Sequence, residues 1–336
     1  MRQTAGGPGR LNWPELVAEA IRRRKAEKLT QKEHAALASV SVPTMIAFDR
    51  GERTLSLGKA MDILRVVGLL EEAPAGSAQD AFVQEAFARW RDLIKDLPKE
   101  SPGRFPAGWY RVDYALEGDL AELPLHEFTG VLRQAVVPHT ARPMFRVPRR
   151  PDLEAREADS VIECWLAAGD KAERRRPFFS ADTCDFWRVA PSGRAVILRG
   201  YSEDAQETFP PGTIFDTTLP IWRIGEAFLH AARLARLIAH HPGEIMVTLR
   251  VLYTGLQGRD LRAWASPGAV FFGGARSRSD EAMLEGSATV STIETNLAGP
   301  VLPLVSSLLA RFGVTGTASS FVEVELARMR QNNFRE

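Results

Sequence analysis

Trp13, Leu16, Val17, Ala20 and Ile21 recur at the spacing of one helical face, and Pro14 falls in the first turn, where its missing N–H is tolerated. Arg22, Arg23, Lys25 and Lys28 occupy the opposite face. Thr30 and Glu33 have the spacing of a capping box, which predicts a short helix over 31–38. Ser39-Val40-Ser41 makes a turn, Ser41 caps a third helix with Pro43 in its first turn, and Gly51 ends it. Leu57, Ala60, Met61, Ile63 and Leu64 supply one or two further apolar-faced helices. Two short helices joined by a tight turn and braced by others predict a helix-turn-helix unit.

The stretch LTQKEHAALASVSVPTMIAFDRGERTLSL, residues 29–57, resembles the Cro/repressor-type (Xre) helix-turn-helix family. The likeness rests on Leu-Thr-Gln, Glu-x-Ala, Val-Ser and Asp-Arg-Gly, and it runs without a gap through both central helices. It implies a DNA-binding domain over 1–72, with helix 31–38 across the backbone and helix 42–49 in the major groove. Carried over by position, Gln31 would bind a phosphate, and Val42, Pro43, Thr44, Ile46 and Ala47 would face the groove. Arg50 and Arg53 would lie near phosphates. Three positions depart from the family pattern. His34 stands where an apolar core residue is usual and reads as a buried or half-buried neutral imidazole. Ser39 replaces the turn glycine, at a cost of about 1 kcal/mol if positive φ is kept. The groove-facing set lacks the Arg, Asn and Gln that make bidentate base contacts, so specificity would lean on methyl contacts, DNA shape and an arm bearing Arg2 and Arg10. The alternative is that this apolar face packs on another protein or domain.

Charge separates this head from the rest. Residues 1–70 hold 12 Lys/Arg against seven acids, so the head is +5 and the remainder −4 within a chain of net charge +1. Glu, Ala, Pro, Gly and Ser between 71 and 79 mark a linker. A helix over 80–97 follows, with Phe82, Phe87, Trp90 and Ile94 toward packing, and the Pro- and Gly-rich stretch 98–109 is a second break. Residues 73–108 therefore read as a helical linker or dimer stalk, and 109–336 as a separate body.

In that body 109–116, 161–167, 195–201, 213–216, 245–254 and 285–293 read as strands, and 219–239 and 296–312 as helices. Surface loops are expected around Gln79, at 154–176 and at 273–280. The order predicts a multidomain chain, an all-α head followed by an α+β domain with a largely antiparallel sheet. FWRVAPSGRAVILRGYSED, PGTIFDTTLPIWRIGEAFLHAARLA and the tail 287–329 look like the C-terminal region found behind Schlafen-type AlbA domains in bacterial proteins, a resemblance covering 160–330. It carries no motif of known chemistry and implies an accessory, dimerisation or sensor module.

At 45 % apolar and 25 % charged, the 336 residues can bury a core. No apolar run of membrane-spanning length and no signal-peptide core is visible, and two cysteines fit a reducing compartment, so a cytoplasmic protein without a membrane partner is expected. Catalytic and metal signatures are thin. Cys164 and Cys184 lack zinc spacing, Asp182, Asp185 and Glu163 read as scattered acids, and no strand-linked nucleotide or nucleophile motif occurs. No cofactor, metal or enzyme activity is therefore expected. Arg223, Glu226, His230 and Arg233 form a polar stripe along an otherwise apolar helix, either a solvated face or an anion or small-ligand site shared with the loop 199–203. The resulting expectation is a dimeric repressor on double-stranded DNA, meeting half-sites about 34 Å apart, with a small-molecule or protein effector at its body. The alternative is a non-catalytic adaptor or antitoxin-like defence component whose helix-turn-helix surface holds a protein.

Overall fold

The computed structural model describes residues 12–52, 55–70, 77–140, 142–148, 153–166, 184–265 and 274–331. The chain divides into two compact units, Met1–Ala78 and Gln79–Glu336.

Unit 1 is all helical: α1 (Trp13–Ala26), α2 (Gln31–Leu37), α3 (Val42–Asp49) and α4 (Leu57–Val66). Thr30 and Glu33 close the reciprocal capping box, and Ser41 Oγ accepts from the Thr44 N–H, so the sequence sets the start of both short helices. Val17 and Ala20 of α1, Ala35 of α2, Met45 and Phe48 of α3, and Ile63 and Leu64 of α4 meet in one core. Trp13 packs edge-on to Phe48, with ring centroids 5.4 Å apart, and donates through Nε1 to the Gly51 carbonyl at 3.0 Å. The turn between α2 and α3 requires Ser39 at φ 53°, a region that costs a non-glycine residue about 1 kcal/mol or more.

Unit 2 is α+β, built on a seven-stranded sheet in the order β2-β3-β4-β5-β1-β7-β9, with every neighbouring pair antiparallel. The strands are β1 (Trp109–Glu117), β2 (Arg156–Ala158), β3 (Val161–Leu166), β4 (Asp185–Val189), β5 (Arg194–Gly200), β7 (Met246–Tyr253) and β9 (Ala282–Thr289). A small parallel pair, β6 (Ile214–Asp216) with β8 (Asp260–Arg262), stands apart, so the strand expected at 213–216 does not join the main sheet.

Both faces of the sheet are covered, as the strand periodicity requires once both sets of side chains are apolar or paired. Tyr110, Val112, Tyr114 and Leu116 point toward the long helix α7 (Leu219–Ile238), joined by α6 (Leu125–Ala135), α8 (Val290–Thr295), α9 (Ala298–Ala310) and α10 (Ser319–Gln331). At Gly225 of α7 a Cβ would lie 2.5 Å from Leu326 Cδ2 of α10, so glycine permits this helix crossing. Trp109, Arg111 and Asp113 point the other way, beneath α5 (Ala78–Ile94). Phe87 of α5 packs on Trp109 at 5.4 Å, Gln79 donates to Asp113 at 3.1 Å, and Arg89 grips Glu163.

Several sequence expectations change here. The segment read as linker or stalk packs along this sheet from Gln79 onward, and Gln79 is buried in a helix and not in a surface loop. The signal missed was the second amphipathic partner of α5, the outward side chains of β1. The expected strand 285–293 ends at Thr289, whose side chain accepts from the Thr292 N–H and starts α8. The loop expected at 154–176 contains the short strand β2 beside β3. Among the described residues no helix is long and apolar enough to cross a membrane.

Candidate functional site

Two groups of residues singled out by sequence can be built up from their surroundings, one in each unit.

In unit 1, α3 presents two faces. Met45 and Phe48 are fully buried, and Val42, one turn earlier, packs against the same core. Val42 is half-buried, as Ile46 and Ala47 are, with part of its side chain on that core. Pro43 and Arg50 are exposed and Ile46 and Ala47 half-buried, so 43, 46/47 and 50 form the outward stripe at i, i+3/i+4 and i+7. The Thr44 hydroxyl lies 2.8 Å from Ser41 Oγ, beside this stripe. Arg50 is the C-cap of α3, and Glu52 approaches it only to 3.9 Å. Arg53, Arg2 and Arg10 lie outside the described residues.

One carboxylate fixes the orientation of α3. Asp49 accepts two bonds from the Arg24 guanidinium, at 2.8 and 2.7 Å, and a third from Gln31 Nε2 at 2.5 Å. Arg24 is 6 % exposed and also touches Met45 Sδ. The expected phosphate ligand Gln31 thus spends one N–H on Asp49. An amide has two, so this contact orients the exposed side chain at the N-terminus of α2 and leaves its second donor available. Sequence reasoning passed over Arg24, although its spacing from Val17 and Ala20 places it on the buried stripe of α1. Neighbouring arginines are also engaged: Arg23 donates to the Val67 and Gly68 carbonyls at the end of α4. Arg22 is exposed but paired with Glu19, and exposed positive charge comes from Lys25, Lys28, Arg50 and Lys59. His34 is fully buried, with Nε2 2.9 Å from the Ile63 carbonyl, and burial pulls its pKa down, keeping it neutral.

In unit 2 the stripe Arg223–Glu226–His230–Arg233 is mostly buried, with Arg233 half-buried at its end. Glu226 and His230 are fully buried and Arg223 is 7 % exposed. Arg223 Nη1 donates to Thr140 Oγ1, the Arg142 carbonyl and Glu226 Oε2 at 2.8–2.9 Å. Glu226 Oε1 accepts from Thr140 Oγ1 and the Met144 N–H, both at 3.0 Å. His230 Nδ1 meets the Tyr114 hydroxyl at 2.9 Å, its ring stacks on Phe145 at 4.5 Å, and Arg233 donates to the Val136 carbonyl at 2.7 Å. The stripe is a latch that fastens 136–140 and 142–145 to α7. This corrects the solvated reading: Glu226, Arg233 and His230 Nδ1 turn to protein partners, and the buried His230 Nε2 has none among the described residues. Arg223 alone reaches a cavity with the loop around Glu203, together with Tyr110, Tyr201, Phe215, Leu219, Pro220 and Tyr253.

The scattered acids have specific occupations. Glu163 is held by Arg89, Arg156 and Arg188, and Asp185 by Arg142 and Arg199. Arginines thus surround the carboxylates that could have approached a metal, and Asp182 lies outside the described residues. Cys164 is buried, which pushes its thiol up to about 12, away from nucleophilic character. Compared with protein-family models, curated protein sequences and solved structures, the chain matches none significantly.

Proposed function

We propose that the chain is a sequence-specific DNA-binding transcriptional regulator: a multidomain, homodimeric repressor with an Xre-type helix-turn-helix head and an α+β body for assembly or sensing. The reading is carried by the outward stripe of α3, where Pro43, Ile46, Ala47 and Arg50 stand clear of the core while Asp49 ties that helix to Arg24 and Gln31. Such a stripe lies on a rigid element, beside the N-terminus of α2, where free N–H groups favour a phosphate. Ile46 and Ala47 offer methyl groups to thymine, Thr44 one hydroxyl, and Arg50 and Arg53 charge for the backbone. A single small head makes too little contact for tight specific binding, so a two-fold pair reading two half-sites is part of the proposal.

A second reading has one observation in its favour. Pro43, Ile46 and Ala47 are apolar and Arg50 is the only charged member of the stripe, which also suits a protein partner for a non-catalytic adaptor. Enrichment of bound duplexes from a random pool, followed by footprinting, separates the two. The repressor reading expects a palindrome with protected half-sites about 34 Å apart. No enrichment, with a protein partner retained by the Ile46 surface, favours the adaptor.

A further inference from the structure

Tyr110 and Tyr253 are register partners on β1 and β7, and Tyr201 follows β5 directly. Their rings therefore stand side by side at one end of the sheet, 5.8 Å apart for Tyr110–Tyr253 and 6.5 Å for Tyr201–Tyr253. Phe215 closes edge-on against Tyr201 and Tyr253 at 5.7 and 5.6 Å. Between these rings, Glu203 and the first turn of α7 lies a cavity of about 20 Å³, the room of one water-sized group. Tyr253 lines it and is 2 % exposed, and its buried hydroxyl has no hydrogen-bond partner among the described residues. A phenol left so keeps an open lone pair, which a donor in the cavity can use.

The charges around the cavity settle which sign of ligand it suits. Arg223 is neutralised by Glu226 at 2.9 Å, and Arg259, stacked over Tyr201, by Asp204 at 2.6 Å. Asp216 accepts from the backbone N–H groups of Thr218, Leu219, Trp264 and Ala265. Glu203 is the carboxylate left over: 3 % exposed, accepting the Asp216 N–H at 2.8 Å, and in no ion pair among the described residues. Burial first, and the Asp216 charge second, push it up to about 7. An incoming anion would face this acid, whereas a cation relieves it. Aromatic walls favour the same sign through their ring faces.

We propose that this cavity binds the head of a primary alkylammonium ion, with Glu203 as counter-ion and the Tyr253 hydroxyl oxygen as hydrogen-bond acceptor. An ammonium head is about the size of water and fits the space, while Leu219 and Pro220 offer apolar contact to the first methylenes. Amine binding and DNA binding belong to different units of the chain, and either can fail without the other.

Isothermal titration of the full chain with n-propylammonium, propan-1-ol, propionate and potassium, all as simple solutes, tests it. Propylammonium alone is expected to bind, with a Kd of about 1 mM or tighter. Glu203→Gln, which keeps an acceptor for the Asp216 N–H, is expected to weaken it at least about tenfold, and Tyr253→Phe, which keeps the ring, by about threefold or more. Equal binding of propan-1-ol, binding of potassium or propionate in place of the amine, no binding at all, or full affinity in Glu203→Gln would each overturn the assignment. The comparison of solutes on the unaltered chain decides the matter even if a variant does not fold.

Discussion

The Arg24 guanidinium and the Asp49 carboxylate meet fork to fork, at 2.8 and 2.7 Å, joining the last turn of α1 to the last residue of α3. Gln31 adds a bond to the same acid, so three helices of unit 1 converge on one side chain. The pair is buried, and a buried pair is expensive to break from one side because the survivor keeps its desolvation cost. Asp49→Ala is therefore expected to destabilise unit 1 by about 3 kcal/mol. Asp49→Asn, which retains an acceptor for both partners, should cost less. Urea unfolding followed by far-ultraviolet circular dichroism measures both, and equal, small losses would show that the carboxylate's charge contributes little.

Ser39 sits at φ 53° and is exposed, so its strain is backbone strain with little side-chain compensation. Ser39→Gly should raise stability by about 0.5–1 kcal/mol, the relief of the left-handed penalty minus the added freedom of the unfolded glycine. A lowered urea midpoint would mean that the hydroxyl contributes more than the turn geometry implies.

Much of this was legible beforehand. The capping residues Thr30 and Ser41 set helix starts through contacts three residues away, and such local rules survive folding. The alternation of Val247, Leu249 and Val251 likewise announced a strand buried on one face. What escaped depended on partners far along the chain. Gln79 looked like a loop residue because its acceptor, Asp113, is 34 residues on, and the polar stripe on α7 looked solvated because Thr140 and Met144 belong to another segment. Of the stripe's two readings, the site shared with the loop near Glu203 kept only Arg223. Charge on a helix face reports neither burial nor pairing, and Arg24 shows the same ambiguity in unit 1.

His230 lies fully buried, and burial, aided by the charge of Arg233, pulls its pKa down to about 3. The folded value is depressed below that of an unfolded histidine, near 6.5, so unfolding takes up a proton between those limits. Its contribution to stability is complete above pH 6.5 and is lost as pH falls toward 3, at up to about 1.4 kcal/mol per pH unit. Urea midpoints of the native chain and His230→Gln across that window should differ in slope, with the variant flatter. Parallel curves would place the acid sensitivity elsewhere.

Glu226 receives Thr140, Met144 and Arg223 at once, so it holds the latch at 140 and 144. Glu226→Ala leaves the Arg223 charge and the Met144 N–H without that partner, and a loss of about 3 kcal/mol or more is expected. Hydrogen exchange should quicken first at 136–140 and 142–145, ahead of the strands of the sheet. Uniform quickening across unit 2 would mean that the latch and the sheet open together.

The reading of α3 as the surface that meets a duplex is tested most directly by the salt dependence of binding. Fluorescence anisotropy on the enriched duplex, for the unaltered chain and for Arg50→Ala with Arg53→Ala, gives affinity and slope together. Affinity is expected to fall steeply with salt in the unaltered chain, and the double variant should bind more weakly, with the slope of log K against log salt reduced by about 2. An unchanged affinity and an unchanged slope in the double variant would contradict it.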